Sequence, residues 1–152
     1  MVYAVRGIGQ EEKLCWLACA QMMWEWKHGP GSSWTALSAE IVSRTGLRGL
    51  KPLEMDLYVF RRLGIRSLTS PKGANLRHAL KWSPAVIAAW VPGKPEAHAQ
   101  VIVGHDAGKY TIIDPGGALV FSESGGAVNE PRTVRRAEQD LDRVLGPFLW
   151  YW

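Results

Sequence analysis

Residues Gly9–Lys27, GQEEKLCWLACAQMMWEWK, hold both cysteines of the chain, and the way this stretch folds decides what they are for. Cys15, Ala18, Cys19, Met22, Met23 and Trp26 recur at the spacings of one helical face. Gly29-Pro30-Gly31 then stops the pattern. The spacing predicts a helix over 15–26, with Cys15 at its start and Cys19 one turn deeper.

Four uses of these cysteines compete: disulfide, metal site, core packing and nucleophile. Side chains at i and i+4 on a helix have Cβ atoms about 5–6 Å apart, whereas a disulfide wants roughly 3.5–4.5 Å. A helix therefore strains a Cys15–Cys19 bridge. Structural zinc takes four ligands, usually in close pairs; this CxxxC has no second pair, and His98 and His105 are too widely spaced to supply one. Nothing in the sequence specifies a metal or a cofactor. Core packing suits Cys19. Cys15, at the helix start, meets backbone N–H groups and the positive end of the dipole, which favour a thiolate.

A thiolate that attacks an acyl carbon also needs a base, a group that orients the base, and an oxyanion donor. Gln10, five residues before Cys15, can turn its amide back toward the thiol from a loop entering the helix. Of the four histidines, His28 precedes Gly29 at a helix end and His78 falls within a short helix, so both have structural readings. His98 and His105 lie on the run HAQVIVGH. A three-residue turn Asp106-Ala107-Gly108 pairs His105 with Lys109 and sets Gln100 opposite Asp114. His98 shares the Gln100 face, so Asp114 becomes its diagonal neighbour and His105 stays out of reach. A two-residue turn would flip this parity. Taken alone, Asp114-Pro115-Gly116-Gly117 reads as a turn.

The rest of the chain supplies the setting. At 152 residues and 47% hydrophobic it is long enough for one domain with a real core, expected to span 1–152. Ser33–Thr45, with Ser33 as N-cap, Glu54–Leu63 and Ala74–Trp82 are predicted helices, with Gly46 and Gly64 closing the first two. From Pro84 onward AVIAAWV, HAQVIVGH, KYTIID and GALVF are β-prone runs set apart by turn residues. Gly125–Asp142 is expected to be a surface loop followed by a short helix, and PFLWYW a final strand. Helices first and strands second is an α+β order.

The net charge is +4 and the pI about 9.3, but the basic residues are scattered rather than interleaved with stacking aromatics, which argues against a nucleic-acid surface. The eight tryptophans are expected to fill the core or line a groove. No segment reaches the roughly 18 apolar residues of a membrane span, and no cleavable signal peptide is visible. The expected location is cytoplasmic, or exported by a signal-independent secretion system.

Gln10, Cys15-Trp16 opening a helix that continues LACAQMM, His98 followed by AQVIVGHD, and Asp114-Pro115 together resemble the papain-like cysteine peptidases. The compact bacterial members, bacteriocin-leader peptidases and secreted effector proteases, are the nearest in kind. The likeness covers about Gly9 to Gly117. It implies a papain-like α+β fold, in which an N-terminal helical half carrying the nucleophile helix packs on a C-terminal antiparallel sheet. It also implies Cys15 as nucleophile, His98 as general base and acid, Asp114 as the orienter of His98, and Gln10 as the oxyanion glutamine. The Gln10–Cys15 spacing is one residue shorter than in many papain-like enzymes. The activity implied is hydrolysis of a peptide or amide bond, with a peptide or protein substrate and an inhibitor or immunity protein as a further partner. A deamidase or transglutaminase-like toxin would use the same three residues, and a non-catalytic peptide-binding module would keep only the scaffold.

Overall fold

The structure, a computed structural model, describes residues 2–31, 33–90, 97–121 and 127–152. Helix α1 (Cys15–His28) comes first, followed by α2 (Trp34–Thr45) and α3 (Pro52–Met55), which runs on into a π-helical turn (Asp56–Phe60). Next come β1 (Arg66–Thr69), α4 (Ala74–Ala79), β2 (Ala85–Trp90), β3 (Ala97–Asp106), β4 (Lys109–Phe121) and β5 (Ala127–Ala137). Helix α5 (Glu138–Asp142) and strand β6 (Leu145–Tyr151) end the fold. The strands form one six-stranded sheet ordered β1-β6-β2-β3-β4-β5, and every paired neighbour is antiparallel. The expected α+β architecture is what forms.

Strand periodicity sends alternate residues to opposite faces, and here both faces are covered. One carries Val86, Ala88, Ala97, Ala99, Val101, Val103 and Trp150 against the buried residues of α1. The other carries Ala85, Ile87, Ile102, Ile112 and Leu149 against Leu76 and Ala79 of α4 and Leu141 of α5. Trp16 and Trp150 are fully buried, and truncating either to alanine costs about 3–5 kcal/mol. Trp82 and Trp90 are exposed. The Trp16 indole also donates to the Arg48 carbonyl at 2.8 Å, tying α1 to the loop before α3.

Several expectations need correcting. Ser33 adjoins α2 but makes no side-chain cap; its φ of 61° is left-handed, whereas an N-cap needs extended backbone to aim its oxygen at the helix. The third helix starts earlier, at Pro52, whose missing N–H suits a first turn, and then widens. Arg61 N–H reaches the Asp56 carbonyl five residues back at 3.0 Å, while its guanidinium holds the buried Asp56 carboxylate at 2.8 Å. Strand β1 went unforeseen because RSLT is short, half-exposed and paired only with β6.

The segment expected to be a loop is, over its described residues, the edge strand β5, registered against β4 from Lys109↔Ala137 to Phe121↔Ala127. Its exposed Arg132, Arg135 and Arg136 are the charged residues that protect a sheet edge from pairing with another chain. Gly125 and Gly126, where that loop was to begin, lie outside the described residues, as does Val91 of the AVIAAWV run. KYTIID and GALVF form one strand rather than two. Asp114-Pro115-Gly116 is part of an irregularity in that strand, where the register passes from Asp114↔Arg132 to Ala118↔Glu130.

The β3–β4 hairpin carries a further correction and cancels it. Its turn is the two-residue Ala107-Gly108, with Asp106↔Lys109 and His105↔Tyr110, both turn residues having positive φ as a type I′ turn demands. The parity would be wrong for His98 but for a bulge between Ile102 and Gly104, which adds Val103 to β3. Beyond it the ladder reads Ile102↔Ile112 and Val101↔Ile113, the register that carries Gln100 toward Asp114. Tyr3 N–H takes the Val103 carbonyl at 2.8 Å, so the N-terminal segment satisfies the acceptor that the bulge leaves over.

Candidate active site

The chain enters α1 through a turn closed by Leu14 N–H on the Glu11 carbonyl at 3.0 Å, with Lys13 left-handed at φ 63°. Cys15 is the first helical residue, no side chain caps the helix, and no acidic residue sits in its first turn. The positive end of the dipole is thus left for the thiol. The β3–β4 ladder stops at Val101↔Ile113, and beyond that point the Ala99 N–H donates to Cys15 Sγ at 3.3 Å.

His98, one residue earlier on β3, meets Asp114 across the sheet, with Nε2 2.6 Å from Oδ1. The same Oδ1 accepts the Gly116 N–H at 2.8 Å, and the Gln100 side chain also helps to lower the pKa of this carboxyl. With Nε2 committed, Nδ1 is the ring nitrogen left to face Cys15, whose sulfur is among the groups that raise the His98 pKa.

Burial lowers the His98 pKa, but the hydrogen bonds and negative charges of Asp114 and Cys15 outweigh it and raise the value from 6.5 to about 9. Burial likewise raises Asp114, and the bond and charge of His98, with Gly116 N–H and Gln100, outweigh it and leave the carboxyl below its ordinary 3.8. The two shifts run in the same direction: each favours the charged form of its group, imidazolium beside carboxylate.

Gln10 is fixed by its backbone: its N–H donates to the Pro115 carbonyl at 3.0 Å, and its carbonyl accepts from Asn129 N–H at 2.8 Å. The side chain reaches the site, where its Oε1 is buried without a hydrogen-bond partner. An oxyanion hole needs a donor, and Nε2 points instead toward the Glu11 carbonyl at 3.4 Å. A half-turn about the terminal torsion exchanges the two atoms.

The structure thus gathers Gln10, Cys15, His98 and Asp114, the four residues singled out in the sequence. Cys19 is a free, fully buried thiol; burial raises its pKa well above 9.0, and the charges of Cys15 and Asp114 add to this. His105 lies toward the other end of β3, 3.5 Å from Glu138. Among the described residues no group of three His, Cys, Asp or Glu side chains could hold a metal ion. The sequence reading missed Gly116 as a site residue and gave Gln100 no role. Asp-Pro-Gly-Gly hid the first as a turn; the second was legible from parity, because Gln100 shares the His98 face.

A family model described as papain-like cysteine protease AvrRpt2 matches residues 2–129. No curated protein matches significantly. Among solved structures, the peptidase domain of Streptococcus ComA, a bifunctional ABC transporter involved in the quorum-sensing pathway, superposes with a TM-score of 0.63. That match has 16% identity and covers 97% of this chain and 97% of that one. The peptidase domain of Streptococcus mutans ComA gives a TM-score of 0.56 at 15% identity, over 95% and 96% of the two chains. At these identities the likeness is one of fold.

Proposed function

The chain belongs to the papain-like cysteine protease AvrRpt2 family, a cysteine peptidase family, and from that premise we propose that Cys15, His98 and Asp114 act as its catalytic triad over one domain spanning 1–152. The carrying observation is the 2.6 Å His98–Asp114 contact beside a thiol that begins a helix. Cys15 thiolate attacks the peptide carbonyl carbon, and the carbonyl π pair moves to oxygen. Collapse of that oxyanion expels the amine, which takes the proton from His98 Nδ1 and leaves a thioester. Water, deprotonated by neutral His98, then attacks the thioester and releases the acid and the thiol.

The switch of His98 from acid to base is built into its surroundings. Two of the influences that raise its pKa come from Cys15, and acylation of the sulfur removes them. The ring then loses its proton more readily when a base is needed, while Asp114 keeps the remaining proton on Nε2. Gln10 Nε2, after the half-turn, and the Cys15 N–H serve as oxyanion donors.

The substrate class is a peptide or protein segment. An effector or toxin setting, with an inhibitor or immunity protein as partner, goes with this reading and draws support from the small basic chain. Harmless overexpression together with a native-host pull-down that yields no stable partner would count against it. Turnover is tested by incubating wild type and Cys15→Ala with a proteome-derived peptide library and reading new N-termini and released ammonia by mass spectrometry and enzymatic assay. New N-termini that vanish in Cys15→Ala are the expected result. Ammonia without cleavage would make the protein a glutamine deamidase, and tight peptide binding without any turnover would make it a binding module.

A further inference from the structure

Gly116 is the residue of this site whose role has no counterpart in the sequence reading. Six of the described glycines, Gly108 among them, have positive φ and open space where a side chain would start; they are glycines because of the backbone angle. Gly116 is the reverse case. Its backbone is not left-handed, and a Cβ built on it would lie 2.8 Å from Gln10 Oε1, 3.0 Å from His98 Cε1 and 3.3 Å from Asp114 Oδ1. All three atoms belong to site side chains, so glycine here preserves space against the site itself.

The same residue makes a directional contact. Its N–H donates at 2.8 Å to the Asp114 oxygen that holds His98. It can do so because β4 is irregular between Asp114 and Ala118, which frees the Gly116 amide from the ladder and turns it back on the carboxylate two residues earlier. The same irregularity presents the Pro115 carbonyl to Gln10 N–H. On the far side, a Cβ on Gly9 would fall 1.5 Å from the Asn129 carbonyl oxygen, so the segment bearing Gln10 lies flat against β5. The β4 irregularity is therefore the joint at which the Gln10 segment, the Asp114 carboxylate and the His98 ring meet.

We propose that Gly116 is a positioning residue: its missing side chain lets Gln10 and His98 close on the site, and its amide fixes the Asp114 oxygen that orients His98. This rests on the triad proposed above. The three atoms nearest a methyl at 116 all belong to side chains, so the fold accommodates it by displacing the Gln10 amide and the His98 ring. Misplacement on that scale costs about 10²-fold in rate.

The experiment begins with the wild-type protein, isotope-labelled, titrated by NMR. The Gly116 amide proton is expected to shift with an inflection at the same pH as the His98 ring, near 9, because both donate to one oxygen. A Gly116 amide that stays flat while His98 titrates overturns the proposal without any variant. Gly116→Ala is then expected to keep the unfolding midpoint within a few degrees, lower kcat about 10²-fold at little-changed KM, and move the His98 inflection toward 6.5. In an Asp114→Asn background the same substitution should cost clearly less than in wild type, because coupled residues are not additive and the part of the loss that runs through Asp114 is already gone. Full additivity, or a wild-type pH profile in Gly116→Ala, would overturn it. The triad is judged separately: wild-type turnover in both His98→Ala and Asp114→Asn would sink that reading, whereas loss in these two with no loss in Gly116→Ala sinks only the role of Gly116.

Discussion

His98 and His105 stand seven residues apart on one strand, roughly 23 Å at strand rise. Each side chain is 25% exposed and each faces a carboxylate. At one end the contact is 2.6 Å, the carboxylate also accepts a backbone N–H, and a thiol at a helix start completes the group. At the other the contact is 3.5 Å, and the carboxylate is shared with Arg77 and Tyr110. A histidine–carboxylate pair alone does not make a reactive center. What separates the two ends is the helix start delivering sulfur to one of them, and a sheet irregularity that turns an extra backbone donor onto its carboxylate.

The strongest way to break this contrast is to remove the sulfur or the ring at one end and not the other. Cys15→Ala and His98→Ala should each lower peptide turnover on the order of 10⁶-fold, as triad members that act as a unit do. His105→Ala should leave kcat/KM within about twofold, since distant sites are nearly independent. Comparable losses from both histidine variants, measured on the same peptide, would erase the distinction. Cys19→Ala belongs with His105→Ala: turnover intact, with about 1–2 kcal/mol lost in urea denaturation from the emptied core volume.

Asp114→Asn should cost on the order of 10⁴-fold in kcat, because the amide no longer holds the proton on Nε2. Glu138→Gln, its counterpart at the His105 end, should leave kcat unchanged. Gln10→Ala is expected to cost about 10²–10³-fold, the value of one oxyanion donor. A Gln10→Ala enzyme with full kcat would assign the oxyanion to backbone donors alone.

The smallest expected effect is on stability against pH. The His98 pKa is raised in the folded protein, from 6.5 to about 9, so its contribution is fully present below 6.5 and lost as pH rises through 9. The Asp114 pKa is depressed below 3.8, so its contribution is present above 3.8 and lost as pH falls through the lowered value. Urea midpoints should therefore decline between pH 6.5 and 9 in wild type. The decline should be much weaker in Asp114→Asn and unchanged in His105→Ala. An equal decline in all three would place its origin outside the His98–Asp114 pair.

Much of the site was legible in the sequence because its members sit where local rules are strong. Helix periodicity and Gly29 fixed α1 and hence the position of Cys15, and strand alternation put His98 and Gln100 on one face. The hairpin was legible only in its result. A three-residue turn was expected, and the observed two-residue turn plus the Val103 bulge restore the same register. The bulge has no sequence mark, because it depends on the N-terminal Tyr3 arriving to take its carbonyl. Asp114-Pro115-Gly116-Gly117 misled for a related reason: turn-forming residues also suit an irregular strand whose spare amide and carbonyl find partners from distant segments. Strand β5 was missed because an edge strand carries charge in place of apolar alternation.

The rate of Cys15 alkylation against pH tests the proposed pairing of Cys15 with His98 most directly, with Cys19 in the same molecule as control. The expected result is rapid modification of Cys15 well below pH 8 in wild type, abolished in His98→Ala, with Cys19 unmodified throughout. Equally slow labelling of both cysteines, unaltered by His98→Ala, would contradict it and leave Cys15 a buried structural thiol.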